Sequence, residues 1–171
     1  YAIETAKACR QHDVKSVAVT AGYITEQARG PFFEYMDAAN VDLKAFTEEF
    51  YYKITYAHLA PILDTLKWLR HETDVWFEIT NLIIPDANDK PDEIQKMADW
   101  VLDAVGDDVP VHFSAFHPDF RMTDRPNTPH ETLILARDLA MQTGLKHVYV
   151  GNVNDADRQS TYCPNCHKLV I

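Results

Sequence analysis

The chain has 171 residues, a formal net charge of −10 and a hydrophobic content of 46% that includes eight Tyr and eight Phe. This length supports one domain with an apolar core, and the aromatic content excludes intrinsic disorder. The acidic balance argues against a dedicated nucleic-acid-binding protein, and no apolar run approaches the ~20 residues of a membrane span. We expect a cytoplasmic protein without nucleic-acid or membrane partners.

Short apolar segments alternate with longer segments of helical periodicity. The predicted strands are Ser16–Thr20, Asn40–Lys44, Val75–Ile84, Pro110–Phe116 and His147–Val153. The predicted helices are Ala2–Gln11, Pro31–Ala39, Thr47–Arg70 with a break before Pro61, Pro91–Val105 and Pro129–Thr143. Strands joined by crossovers of this length indicate an α/β fold with a parallel sheet and helices outside it.

About five strands are too few to close an eight-stranded barrel, so the sheet is either open and doubly wound or part of a barrel. Doubly wound sheets are apolar on both faces. Here apolar and polar residues alternate: Val41 and Leu43 oppose Asp42 and Lys44. The same alternation places Glu78, Thr80, His112, Ser114, Ser16 and Thr20 on a polar face and Val17 and Val19 on the apolar one. The pattern favours a partial barrel of the β/α type with a ligand in a polar interior.

Ligands of parallel α/β folds bind at the carboxyl ends of the strands. The candidate residues there are Thr20, Gly22, Asp42, Lys44 and His117. They suit a polar small molecule that carries an ammonium and a carboxylate. The alternatives to a ligand-binding role are that Asp42 and Lys44 form a structural ion pair and that His117 is a loop histidine bonded to the backbone. We expect His112, deeper in the interior, to be a satisfied core histidine.

Cysteines are the second candidate chemistry. Cys163-Pro-Asn-Cys166 has the form of a metal-binding knuckle and supplies two of the four ligands of a zinc site. Cys9 lies on the first helix and is expected to be buried and inert. We divide the chain into a barrel domain over 1–158 and the start of a zinc-ribbon-like segment over 159–171.

Several segments occur in an order and spacing that resembles a known family. They are VTAGYI (19–24), DAANVDLKAF (37–46), EITNLIIPDAND (78–89), HFSAFHPDFRM (112–122), GLKHVYVGNV (144–153) and TYCPNC (161–166). Together they resemble the radical SAM enzymes of the AmmeMemoRadiSam system, which are similar to pyruvate formate-lyase activating enzyme.

The resemblance implies a partial (β/α)₆ barrel with a [4Fe–4S] cluster and S-adenosylmethionine at its mouth. A flavodoxin- or ferredoxin-type donor would drive reductive cleavage to a 5′-deoxyadenosyl radical, which abstracts hydrogen from a protein or a small-molecule substrate. Asp42, Lys44 and His117 match positions that contact S-adenosylmethionine in the family, and Thr20 and Gly22 would line the same pocket.

Two family features are absent from the sequence. In the family, the CxxxCxxC cluster motif and the glycine-rich methionine-binding segment after it belong upstream of the position of Tyr1. A second CxxC pair belongs beyond the position of Ile171. Val19 and Ala21 also replace an Asp and an Asn of the activating enzymes. We expect a fragment that is inactive alone and that either dimerises through an open sheet edge or covers this edge with Tyr1–Gln11. A barrel lyase or isomerase using Lys44, or an interaction domain with a zinc knuckle, is the alternative.

Overall fold

The computed structural model describes all 171 residues and contains one parallel sheet. Its five strands lie in chain order, each hydrogen-bonded to the next. The strands are β1 (Val17–Thr20), β2 (Ala38–Asp42), β3 (Trp76–Ile83), β4 (Val111–Ala115) and β5 (Val148–Gly151). With helices flanking the sheet, this architecture confirms the predicted partial β/α barrel.

Seven α-helices accompany the sheet, the first before β1, the last after β5 and the others between consecutive strands. They are α1 (Ala2–Gln11), α2 (Glu26–Phe33), α3 (Glu48–Phe50) with a π-helical turn over Tyr51–Thr55, α4 (Ala60–Glu72), α5 (Pro91–Val105), α6 (His130–Thr143) and α7 (Ala156–Gln159). The predicted break before Pro61 is confirmed, because this proline occupies the first turn of α4, where its missing N–H leaves no bond unmade. None of these helices combines the length and the apolar character needed to cross a membrane.

The second helix was predicted wrongly. We expected Pro31–Ala39 with Pro31 in its first turn, but α2 begins at Glu26 and contains Pro31 in its interior. Residues 38 and 39 instead belong to β2, where they pair with both β1 and β3. Two-sided strand pairing therefore overrides the local helix signal, and β2 begins and ends two residues earlier than predicted.

The core lies between the helices and one face of the sheet, which we call the outer face. Val41, Ile79 and Phe113 are on this face and are fully buried. Their strand neighbours point to the opposite, inner face and are only partly buried. The predicted alternation is therefore confirmed for β2, β3 and β4.

The faces of β1 are reversed relative to the prediction. Val17 and Val19 lie on the inner face and are 60% and 80% exposed, whereas Ala18 is buried. Ala18 pairs with Ala39 and Thr20 pairs with Val41, so Thr20 faces the helices. Small side chains, those of Ala18 and Ala39, therefore occupy the outer face at this position.

The edge strand β1 pairs with β2 alone and has an unpaired side. Such an edge is a template for association between chains. Dimerisation through it, and the division of the chain at residues 158 and 159, stay predictions.

Candidate functional site

Asp42 and Lys44 lie where β2 ends, at the edge of the sheet shared by the carboxyl ends of all five strands. Lys44 Nζ donates to Asp42 Oδ2 over 2.7 Å. The two side chains are 30% and 36% exposed. Both project from the inner face, since Val41 and Leu43 fill the alternate positions in the core. The pair is thus accessible to a ligand as well as internally bonded.

The backbone that carries this pair is held by buried side chains from other elements. Asn81 Nδ2 donates to the Leu43 carbonyl over 2.8 Å, and Asn88 Nδ2 donates to the Lys44 carbonyl. The Lys44 N–H donates to the Tyr51 hydroxyl over 2.9 Å. These bonds fix the turn after β2 in one conformation.

Asn88 and Tyr51 are almost completely inaccessible to water. Asn88 also accepts a bond from the Ile84 N–H over 2.7 Å and donates to the Leu82 carbonyl over 2.9 Å, so it ties the end of β2 to the end of β3. Burial raises the pKa of Tyr51 to about 12, which keeps its phenol neutral. Sequence reasoning did not assign a role to either residue.

His117 follows β4 at the same edge of the sheet and is exposed. Because β3 separates β2 from β4, the axes of these two strands are about 10 Å apart. His117 begins an 11-residue loop, 117–127, whose base is closed by Thr128. The Thr128 hydroxyl accepts from the Phe116 N–H over 2.8 Å and donates to the Ile83 carbonyl over 2.6 Å.

Thr20 and Gly22 occupy the corresponding end of β1. Gly22 has φ +67°, and a Cβ there would lie 2.8 Å from Val41 Cγ1, so both its conformation and its packing require glycine. The Thr20 hydroxyl accepts from the Gly22 N–H over 3.1 Å. The structure thus gives these residues a role in the turn, and their contact with a ligand stays a prediction.

A second polar cluster lies on the inner face, farther from this edge. His112 Nε2 and Glu78 Oε2 are 2.7 Å apart, and the His112 ring stacks on Tyr149 with centroids separated by 5.1 Å. The hydrogen bond from His112 lowers the pKa of Glu78 below its ordinary value. The expectation that His112 is satisfied holds, but it is not a core residue, because 30% of its side chain is exposed.

The knuckle forms the tip of a hairpin over residues 161–171. The Cys163 N–H donates to the Lys168 carbonyl over 2.9 Å, and the His167 N–H donates to the Cys163 carbonyl over 2.9 Å. Hydrogen bonds from the backbone N–H groups of Cys166 and Asn165 lower the pKa of the Cys163 thiol.

No group of three or more His, Cys, Asp or Glu side chains in the structure could hold a metal ion. Cys9 is partly accessible rather than buried, and lies on a different element from the two knuckle cysteines. The residues present therefore do not fit a [4Fe–4S] cluster, which takes cysteine ligands that this chain does not bring together.

No protein-family model matches the sequence. An uncharacterized protein of Methanocaldococcus jannaschii is 42% identical over 168 residues, which are 98% of this chain and 49% of that protein. The chain thus spans about half the length of this relative.

Three solved structures with the same fold illustrate the similarity. A domain of a pyruvate-formate lyase-activating enzyme from Bacteroides vulgatus superimposes with a TM-score of 0.76 at 14% identity, covering 88% of this chain and 89% of that domain. A radical SAM methyltransferase from Sphaerobacter thermophilus gives 0.63 at 15%, covering 92% and 46% of the chains. Streptococcus suis SuiB bound to S-adenosylmethionine gives 0.63 at 11%, covering 88% and 34%. The fold is therefore that of a radical SAM partial barrel.

Proposed function

We propose that the chain is the S-adenosylmethionine-binding part of a radical SAM enzyme, of the AmmeMemoRadiSam type and similar to the glycyl-radical activases. The observation that carries the proposal is the accessible Asp42–Lys44 pair at the carboxyl end of β2, in a sheet with the radical SAM fold. Asp42 and Lys44 match the family positions that contact the cofactor.

The donor set fits the methionine end of S-adenosylmethionine. This end carries an ammonium and a carboxylate, for which the Asp42 carboxylate and the Lys44 ammonium are charge-assisted partners. Each group can replace its 2.7 Å hydrogen bond to the other with a hydrogen bond to the ligand. His117, on the loop after β4 at the same edge of the sheet, offers a third polar group. When bound in such enzymes, S-adenosylmethionine supplies the deoxyadenosyl group that abstracts hydrogen.

The contribution of this chain is binding and orientation. Asn88 and Tyr51 hold the Lys44 backbone before the ligand arrives, so that little conformational entropy is lost on binding. The residues present do not supply the ligands of an iron–sulfur cluster. Anaerobic reconstitution of the chain with iron and sulfide should yield no stable [4Fe–4S] chromophore and no cleavage of S-adenosylmethionine. A stoichiometric, active cluster would contradict this part of the proposal.

Equilibrium dialysis with labelled S-adenosylmethionine tests the binding proposal. The wild-type chain should bind saturably, and Asp42→Asn and Lys44→Met should each weaken binding about tenfold or more, since a hydrogen bond to a charged group is lost. Lys53→Met is the matched control, because it breaks another ion pair, with Glu49, in which both side chains are exposed. Equal effects of Lys44→Met and Lys53→Met would contradict the proposal.

We also propose that Cys163 and Cys166 are two ligands of a zinc site. The support is the hairpin, in which backbone N–H groups bond the Cys163 sulfur and favour its thiolate. Thiolate is the form that binds zinc. Cobalt(II), used as a spectroscopic substitute, should give thiolate charge-transfer absorption that is lost in Cys163→Ser and Cys166→Ser and retained in Cys9→Ser. Absence of this absorption in the wild-type chain would overturn the assignment.

A further inference from the structure

We propose that the groove around Glu78 on the inner face is a substrate subsite that binds an ammonium or guanidinium group. This inference deepens the proposed function and rests on it, because the bound cation is a substrate only if the protein is an enzyme. The groove has a volume of about 420 Å³ and opens beside Trp76, Glu78, His112, His147 and Tyr149.

Charge is the first argument. The residues that line the groove include no Lys or Arg, and Glu78 is the one formally charged side chain among them. The bond from His112 lowers the pKa of Glu78, so this carboxylate is ionised at neutral pH. An anion would be repelled here, and a wholly apolar ligand would strip water from a charge without replacing its hydrogen bonds.

Remaining hydrogen-bonding capacity is the second argument. A carboxylate accepts about four hydrogen bonds. Glu78 uses Oε2 with His112 over 2.7 Å and Oε1 with the Trp76 indole N–H at a long 3.4 Å. Its side chain is still 36% exposed. Lone pairs therefore remain available to a donor that enters the groove.

Aromatic rings supply the third argument. The Trp76 side chain is 58% exposed at the rim, although a large indole normally gains free energy from burial. The weak Trp76–Glu78 contact lies beside the carboxylate, and Tyr149 stacks on His112, its paired neighbour on the adjacent strand. Aromatic rings next to a carboxylate are the combination that binds an organic cation, through cation–π attraction and a charged hydrogen bond together.

The position of the groove gives the subsite its place in the enzyme. Thr80 pairs with Asp42 on one side and with His112 on the other, so His112 and Asp42 share one row across the inner face. Glu78 lies two residues before Thr80, about 7 Å farther from the carboxyl edge. A substrate whose cation rests on Glu78 can therefore extend along the inner face toward the proposed cofactor site.

The test is a titration of the full chain with N-acetylarginine methylamide, followed by the Trp76 indole resonance in ¹H–¹⁵N spectra. N-acetylcitrulline methylamide is the matched neutral ligand of nearly the same shape. The arginine derivative should shift this resonance saturably, and the citrulline derivative should bind about tenfold more weakly or not at all. The same resonance would move equally with both ligands if charge were irrelevant, and that result would overturn the inference.

Variants separate this site from the proposed cofactor site. Glu78→Gln should abolish the arginine-dependent shift and leave S-adenosylmethionine binding unchanged, while Asp74→Asn, which removes an exposed carboxylate outside the groove, should alter neither. Trp76→Leu, followed by calorimetry, should weaken arginine binding independently of Glu78. If Glu78→Gln still binds the arginine derivative, the inference is overturned and the proposed function is not. If the wild-type chain does not bind S-adenosylmethionine, the proposed function is overturned and the cation subsite is not.

Discussion

The loops after β2 and after β4 both carry residues of the proposed cofactor site, but they are held in different ways. The turn after β2 is bonded at consecutive backbone groups by buried side chains of other elements. The loop over residues 117–127 is fixed at its base by Thr128, and its first residue, His117, is exposed. One half of the site is therefore held by buried side chains, and the other carries an exposed histidine on a loop that is bonded at its base and, through Arg125, to the Pro85 carbonyl.

Asn88→Ala should produce the largest effect. It breaks part of the clamp, by which we mean the bonds from Tyr51, Asn81 and Asn88 that hold the turn after β2. It removes bonds to the Ile84 N–H and to the Lys44 and Leu82 carbonyls, all in a buried environment. We expect a loss of about 3 kcal/mol in the free energy of unfolding, measured by urea titration. Asn127→Ala, in the loop after β4, is the control and should cost less than about 0.5 kcal/mol.

Thr128→Val tests the base of the more open loop. The substitution keeps the shape and removes the hydroxyl that bonds the Phe116 N–H and the Ile83 carbonyl. The free energy of unfolding should fall by about 2 kcal/mol, since a buried N–H loses its partner. Amide hydrogen exchange should quicken in residues 117–127 while the turn after β2 keeps its protection. Faster exchange in both segments would show that the two loops are coupled.

Tyr51→Phe removes one bond of the clamp without creating a cavity. The Lys44 N–H then loses its acceptor, and we expect a cost of about 1 kcal/mol in urea unfolding. The affinity for S-adenosylmethionine should fall as well, because Lys44 is no longer held in place. Tyr52→Phe, at an exposed neighbouring position, is the control. Unchanged affinity in Tyr51→Phe would mean that preorganisation of this turn is unimportant.

The smallest effect is expected from the hydrogen-bonded contact between Glu78 and His112, which joins β3 to β4 on the inner face. The pKa of Glu78 in the folded protein is below its ordinary value. Its contribution to stability is therefore present above the pKa of the unfolded state and is lost as the pH falls through the lower folded-state pKa. Glu78→Gln should reduce the acid-induced loss of stability by less than about 1 kcal/mol, whereas Glu72→Gln should not change it. A wild-type acid response in Glu78→Gln would contradict the assignment.

The sequence predicted the faces of the central strands better than those of the edge strand. Two-residue alternation correctly predicted the inner face of β2, β3 and β4, because core packing determines which side each residue takes. It failed in β1, which has four residues, lies at an edge and packs through alanine.

The bonds of Asn81 and Asn88 to the turn after β2 could not be predicted, because these residues are remote in sequence from the backbone atoms that they bond. Asn88 lies 44 residues from the Lys44 carbonyl that it bonds, and Glu78 lies 34 residues from His112. No local pattern encodes such pairs. A polar residue at an inner-face position of each of two adjacent strands was the available signal for Glu78 and His112.

Chemical-shift mapping with S-adenosylmethionine tests the central claim most directly. In ¹H–¹⁵N spectra of the full chain, saturable shifts should appear at residues 42–46 and at His117, with no shifts in the hairpin over residues 161–171, which serves as the internal control. The turn after β2 should show one set of shifted resonances, as expected for a preorganised segment. Shifts confined to the outer face or to the hairpin, or none at millimolar ligand, would contradict the account.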